Sequence, residues 1–353
     1  MQERYIATAD LGTSKIALSV VKINGDKVDV LYYKESESDG IRYSTVFNPM
    51  RAAEPLKSAI REAEKELDIK ISQIILGLPR YSVRQESNSA KIERSNPGSC
   101  VLQEEIDSLK GMALDSYPLS DDAKEEIYGA VAQSFCSDDT FQGREEDIVG
   151  SPSDILEGNF KVFIGAKKAV TNLDTLMNNV GVAIAEKCFL PVMTANALLT
   201  SYERDNGGAL IEMGAGVTSL TIYQNDILRY YGSIPFGGRN ITNDIKYECG
   251  FHEHLAENLK LGLGACLPEK LQNMREKIIQ INDDESASYP ELPVKYLSEI
   301  ITSRAREIFE AILYMIQESG YADRLRNGIV LTGGGANLTN LSNLLKEMSG
   351  YNV

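Results

Sequence analysis

The chain carries the same short unit twice, and that repetition sets its architecture. Residues 9–15 read ADLGTSK and residues 211–219 read IEMGAGVTS. In each, an apolar strand carries an acid, Asp10 or Glu212, and a glycine follows after one further residue. The surroundings repeat as well. YIATADL and KIALSVVKI flank the first turn, NGD at 24–26 signals a hairpin, and a third strand runs to about residue 33. GALIEMGAGVTSLTIYQNDILRYYGSIPFGG is again strand, glycine turn, strand, turn, strand. Two copies of one unit predict a duplicated α/β domain with a cleft between the copies.

The stretches between fill out this plan. MRAAEPLKSAIREAEKELDI places Ala52, Leu56, Ala59, Ile60, Ala63 and Leu67 at helical spacing, and SQIILGLP follows as a buried strand. From residue 81 to 160 the sequence turns more polar, with a short helix (QEEIDSLKGMAL), strands, and an acidic, Gly- and Ser-rich loop around 137–154. That pattern predicts an inserted small subdomain. FKVFIGAKKAV then reads as a strand and TNLDTLMNNVGVAI as a helix capped by Thr171 or Asn172. A helical tract covers about 241–324 and ends in KYLSEIITSRAREIFEAILYMIQESG. GIVLTGGGANLTNLSNLLKEM closes as strand, glycine loop and helix.

The chemistry lies in the turns. Glycine lets the backbone turn tightly and bring its N–H groups against an anion. The hydroxyls of Thr13 and Ser14 add donors, and Lys15 adds charge. Asp10 and Glu212 would repel a phosphate that touched them directly. They make sense as anchors for a magnesium ion through its water shell, because magnesium keeps most of its hydration. LTGGGANL at 331–338, after a strand and at a helix start, supplies a third place where backbone can approach a ligand.

The order phosphate loop, phosphate loop, adenosine loop resembles the superfamily of actin, heat-shock chaperones and sugar kinases. Within it, DLGTSKI, IPFGGRNITNDI, HLAENLKLGLGACL and GIVLTGGGANL resemble the FtsA family of bacterial cell-division proteins along nearly the whole chain. The resemblance implies duplicated actin-like ATPase domains around a nucleotide cleft, with an inserted FtsA-type α+β subdomain. The implied division is 1–80 with 161–205 (IA), 81–160 (IC), 206–241 with 325–353 (IIA) and 242–324 (IIB). It implies ATP and Mg2+ in the cleft. Asp10, Gly12, Thr13, Ser14 and Lys15 would form the first phosphate loop, Gly214, Gly216 and Thr218 the second, with Gly237 and Gly238 near the phosphates. Glu257, Lys260, Gly333, Gly334 and Gly335 would contact the nucleoside, and Asp10 and Glu212 the magnesium through water.

The family also implies partners. These are the C-terminal peptide of the tubulin-like protein FtsZ, with Arg304 on LSEIITSR as a contact, further copies of the chain in actin-like filaments, and other division proteins through subdomain IC. Membrane attachment in the family runs through a C-terminal amphipathic helix. This chain stops at EMSGYNV, just after the adenosine-loop helix, so it is expected to be a partial chain and tethering is inferred. The expected place is the cytoplasm, peripheral to the cytoplasmic face of the inner membrane at the division site.

The sequence departs from the family where hydrolysis would be set up. The second loop usually reads Asp, apolar, Gly-Gly-Gly-Thr-Thr-Asp. Here Glu212, Ala215, Val217 and Ser219 replace the acid, a glycine, a hydroxyl and the last acid. One extra methylene moves a carboxylate by about 1.5 Å, and a misplacement of about 1 Å costs on the order of a hundredfold in rate. A slow or silent ATPase is expected. A pilus-assembly-type adaptor of the same fold, or a small-molecule kinase, remains the alternative.

Other features narrow the field. A net charge of −15 argues against binding nucleic acid, which needs basic surface. Five scattered cysteines without a Cys-x-x-Cys fit reduced thiols. MQERYIATAD lacks the apolar core of a signal peptide, and no apolar run approaches the roughly 20 residues that span a bilayer. His252 and His254 diverge at a helix start without a third ligand, and the carboxylates at 137–147 lack the spacing of a calcium loop.

Overall fold

The computed structural model describes residues 4–25, 27–138, 141–274, 276–280 and 291–353. Asp26 of the predicted NGD turn and Asp139 of the acidic loop lie outside them. Strands β1 (Arg4–Leu11), β2 (Lys15–Asn24) and β3 (Lys27–Glu37) form an antiparallel meander. Ile16, Leu18 and Val20 alternate inward along β2, the period-two signature of a half-buried strand.

Helix α1 (Pro49–Leu67) then crosses to β4 (Gln73–Gly77), which lies parallel to β1. Its buried stripe is Ala52, Ala53, Leu56, Ala59, Ile60 and Ala63. Asn48 caps the start by accepting from the Arg51 N–H at 3.2 Å, with Pro49 as the first helical residue, and Asp68 ends the helix in a left-handed turn. Asn48→Ala is expected to lower stability by about 1 kcal/mol, read as an earlier urea midpoint with unchanged m value.

From β4 the chain enters a separate antiparallel sheet. Its strands are β5 (Arg84–Glu93), β6 (Glu125–Ser137), β7 (Phe141–Gly143) and β8 (Ile155–Ala166), in the order β5–β8–β6–β7. Helix α2 (Gln103–Asp115) lays Ile106, Leu109 and Ala113 on it, over a core centred on Phe135 and Phe160, edge to face at 5.8 Å. This inserted layer also touches the second half of the chain. The Gln133 side chain donates to the Leu228 carbonyl at 3.0 Å, and Gln85 accepts from the Tyr231 N–H at 3.0 Å.

The chain returns through α3 (Lys167–Val180) to β9 (Ala183–Cys188), which completes the sheet β9–β4–β1–β2–β3. Here the sequence expectation needs correction. The strand ends at Ala166 and the helix begins at Lys167, four residues before Thr171. Ala169 and Val170, which read as strand, instead start a helical stripe continued by Leu173, Leu176 and Met177. Thr171 hydrogen-bonds back to the Lys167 carbonyl inside the helix, and Asn172 donates to the Val46 carbonyl at 2.7 Å, so neither is a cap. Gly181, in a left-handed conformation, ends the helix, and the segment read as its last turn opens β9.

The second half repeats the first. Strands β10 (Gly208–Met213), β11 (Thr218–Gln224) and β12 (Ile227–Ile234) form the meander. Helices α4 (Gly238–Cys249), α5 (Glu253–Leu263) and α6 (Val294–Glu318) follow, and β13 (Ile329–Thr332) runs parallel to β10. The order β12–β11–β10–β13 matches β3–β2–β1–β4 strand for strand. Helix α6 buries Leu297, Ile300, Ile301, Ile308 and Ile312 along one face, while Leu313 is half-buried. The glycine triplet does not open a long helix. Gly334–Asn337 form one 3-10 turn, and α7 (Leu341–Ser349) begins only after Asn340. The intervening Thr339 bridges to Ala265, and its carbonyl accepts from the Cys266 N–H at 2.8 Å, which turns the chain aside before the helix. Among the described residues no helix is long and apolar enough to cross a membrane.

Candidate functional site

The two glycine turns have the same geometry. Paired residues Leu11 and Ile16 close the first, and Met213 and Thr218 close the second. In the first the Gly12 N–H donates to the Lys15 carbonyl at 3.0 Å, and in the second the Gly214 N–H donates to the Val217 carbonyl at 2.9 Å. The loops meet across the two halves: a Cβ on Gly216 would stand 2.9 Å from the Thr13 side chain, so glycine permits the contact. Thr13 is held in place by the Ser44 N–H, which donates to its hydroxyl at 3.1 Å.

Between the loops lies a cavity of about 1150 Å³. It gathers Asp10, Gly12, Thr13, Ser14 and Lys15 from the first half, and Glu212, Gly214, Gly216 and Gly238 from the second. Glu257 and Lys260 on α5 and Gly333, Gly334 and Gly335 after β13 complete its other side. Three residues singled out by sequence do not line it. Thr218 is fully buried, and its hydroxyl donates to the Phe236 carbonyl at 2.8 Å; the neighbouring Ser219 faces the cavity instead. Gly237 packs behind the second loop, where the N–H groups of Gly238 and Arg239 donate to the carbonyls of Gly214 and Ala215 at 2.9 and 2.8 Å. The first amides of α4 therefore secure the loop and are spent on it. Arg304 lies outside the cavity on α6, its guanidinium on Asp244 at 2.5 and 3.0 Å and on Glu307 at 2.6 Å.

Lys260 is buried and donates to the Gly238 carbonyl at 3.1 Å, the Thr242 hydroxyl at 2.8 Å and Glu257 at 2.7 Å. This network fixes α5 against α4 beside the cavity. A surface ion pair between Glu257 and Lys260 would have been mobile and worth little.

Lys15 pairs with Glu35 on β3, and the Tyr33 hydroxyl donates to the same carboxylate. The Lys15 ammonium and then the Tyr33 hydroxyl hold the Glu35 carboxyl below its ordinary range, while that bond pushes the Tyr33 phenol up to about 12. Both residues escaped the sequence reading. The register could have found them, because Ala17 pairs with Glu35 and so sets Glu35 diagonal to Lys15.

Arg80, just beyond β4, was also missed. Its guanidinium bonds Glu212 and stands 3.6 Å from Asp10. Burial raises the Glu212 carboxyl, Arg80 opposes that shift, and Asp10 adds to it. Among the described residues no group of three acids, histidines or cysteines could hold a metal directly. One carboxylate from each half suits a magnesium ion carried by phosphates and reached through water. His252 is the cap of α5, accepting at Nδ1 from the Leu255 N–H at 3.2 Å.

Comparison with known proteins agrees with this plan. A sequence model of the family described as cell division protein FtsA matches residues 209–353. The cell division protein FtsA of Neisseria meningitidis is 30% identical over 344 residues, covering 96% of this chain and 80% of that protein. That of Borreliella burgdorferi is 30% identical over 358 residues, covering 99% and 84%. Among solved structures, the PilM–PilN type IV pilus biogenesis complex is similar with a TM-score of 0.63 at 15% identity, covering 99% of this chain and 86% of that one. MreB5 of Spiroplasma citri bound to ADP follows with a TM-score of 0.58 at 14% identity, covering 99% and 90%. At these identities the structures establish the fold, which is the duplicated actin-like ATPase architecture with an inserted subdomain. The sequence relatives, matched along almost the whole chain, establish more: the chain belongs to the FtsA family of bacterial cell-division proteins.

Proposed function

We propose that this protein is a nucleotide-binding adaptor of bacterial division, which recruits FtsZ filaments to the membrane and associates with further copies of itself. The observation that carries the reading is the pair of matched glycine loops facing one cavity. Backbone amides at such loops and the Lys15 charge suit phosphate. ATP enters as its magnesium complex, with Asp10 and Glu212 toward the ion's water. The Lys260 network and Gly333–Gly335 form the nucleoside side. The ADP in the similar MreB5 structure supports a nucleotide in a fold of this kind.

Turnover is slow or absent in this reading. Val217 is a buried apolar residue lining the cavity where the family carries a hydroxyl. The bound nucleotide then acts as a structural ligand. In the same reading residues 81–160 form the subdomain that meets other division proteins, and 242–324 the subdomain that takes the FtsZ tail. An acidic tail reaches Arg304 by exchanging with Glu307, whose side chain is 63% exposed. The protein works on the cytoplasmic face of the inner membrane, held there by an amphipathic helix as in the rest of the family. The pilus-type alternative shares the fold alone, at half the identity of the sequence relatives.

Calorimetric titration with magnesium-ATP and, separately, with an FtsZ C-terminal peptide tests the proposal. Binding of both, with little phosphate released over hours, is the expected result. Nucleotide binding without peptide binding would remove the FtsZ role, and rapid phosphate release would remove the structural-ligand role.

A further inference from the structure

We propose that Arg80 reads the terminal phosphate, so that the cleft distinguishes nucleoside triphosphate from diphosphate; this rests on the nucleotide reading above. Arg80 belongs to the first half of the molecule and Glu212 to the second, so their ion pair spans the floor of the cleft. Asp10 and Glu212 are the acids that immediately precede the two loops, which puts the guanidinium at the head of both. Its donors are not all spent, and among the described cleft cations it is the one whose ion pairs join the two halves. Lys260 is saturated by three acceptors, while Lys15 and Lys270 each pair with one carboxylate on their own half, Glu35 and Glu347. Arg80, in contrast, has its Nε buried with no hydrogen-bond partner among the described residues, and its Nη2 lies beyond hydrogen-bond distance of Asp10.

A planar fork whose Nη2 is not hydrogen-bonded to Asp10, on a residue lining a cavity flanked by phosphate-type loops, matches the acceptor geometry of a phosphoryl group once the side chain turns to bring it out. The residue's main chain is fixed, since the Tyr231 hydroxyl donates to the Arg80 carbonyl. Only the side chain has to turn. Glutamate at 212 fits this arrangement: its extra methylene reaches across to neutralise Arg80 while the phosphate is absent. When a terminal phosphate arrives, the guanidinium moves from Glu212 to it and leaves the carboxylate to the ion's water. A diphosphate has no group at that position, so Arg80 stays on Glu212.

The test is titration calorimetry of ADP and of the non-hydrolysable ATP analogue AMPPNP, each with magnesium, into the whole chain and into Arg80→Gln and Arg80→Lys. Arg80→Gln is expected to weaken AMPPNP about 10- to 100-fold and ADP less than about 3-fold. Arg80→Lys keeps the charge but loses the fork, so its AMPPNP loss falls between the two, and it carries the comparison if the glutamine variant does not fold. Equal losses for both nucleotides would make Arg80 only a brace between the halves and overturn the proposal, as would no loss at all. If the unaltered chain bound neither nucleotide, the cleft reading itself would fall; unaltered binding with no discrimination in the variants sinks Arg80 alone.

Discussion

Gly237→Ala is expected to weaken nucleotide binding by at least about 100-fold while leaving the chain folded. The added Cβ would stand 2.3 Å from the Gly214 carbonyl oxygen and 2.8 Å from that of Ala215. Both are backbone atoms, so no side chain can rotate away, and the second phosphate loop must move. The φ of −171° at Gly237 is extended backbone open to any residue, so the effect comes from loop displacement and not from strain at the site of substitution. Overpacking of this kind costs about 1–3 kcal/mol of stability. Gly111→Ala supplies the contrast. It lies inside α2, and its Cβ would meet nothing within 4 Å. Alanine there gains about 0.5–1 kcal/mol and leaves nucleotide affinity untouched. Calorimetric titration and thermal unfolding of both variants check the pair. An undiminished affinity in Gly237→Ala would mean that the second loop does not hold phosphate.

The duplicated meander was legible because each strand announces itself locally. Ile16, Leu18 and Val20 alternate, and the acid-then-glycine units mark both turns. Most of the cleft followed from those turns. What escaped depends on contacts that sequence spacing does not encode. Arg80 meets Glu212 across 132 positions, and nothing near either residue points to the other. Thr218 differs in the other direction, since its side chain does not line the cavity. The family resemblance implies Thr218 in the second phosphate loop, but it is the first residue of β11, where side chains alternate, and its hydroxyl faces inward to the Phe236 carbonyl. Its neighbour Ser219 takes the outward position. The start of α3 was misread because Lys167–Val170 carry no cap residue. That helix is begun by its packing and by the Lys167 N–H, which donates to the Lys124 carbonyl at 2.8 Å.

Arg94 is the clearest case of a residue with no local signal and a large expected effect. Only 3% of its side chain is exposed, inside the inserted subdomain. Its guanidinium holds Glu105 through two bonds of 2.8 Å and also donates to the carbonyls of Ser99, Cys100 and Ser153 at 2.5, 2.9 and 2.6 Å. One side chain thus ties the end of β5, the loop before α2, α2 itself and the approach to β8. Arg94→Ala leaves those carbonyls unpaired and the partly exposed Glu105 without its counter-ion, and removing the buried partner of such a pair costs about 3 kcal/mol. The pH dependence follows with a fixed sign. The Arg94 guanidinium, and then the Leu102 N–H, hold the Glu105 carboxyl below its ordinary value of 4.5. A depressed folded-state value contributes stability that is complete above 4.5 and is lost as pH falls through the lower folded value. Urea unfolding from pH 7 down to pH 3 is therefore expected to show a steeper acid loss for the unaltered chain than for Arg94→Ala, with the gap between the two curves narrowing but not closing at the acid end, because the bonds to the three carbonyls do not titrate. Parallel curves would mean that Glu105 is not the group through which Arg94 holds this subdomain together.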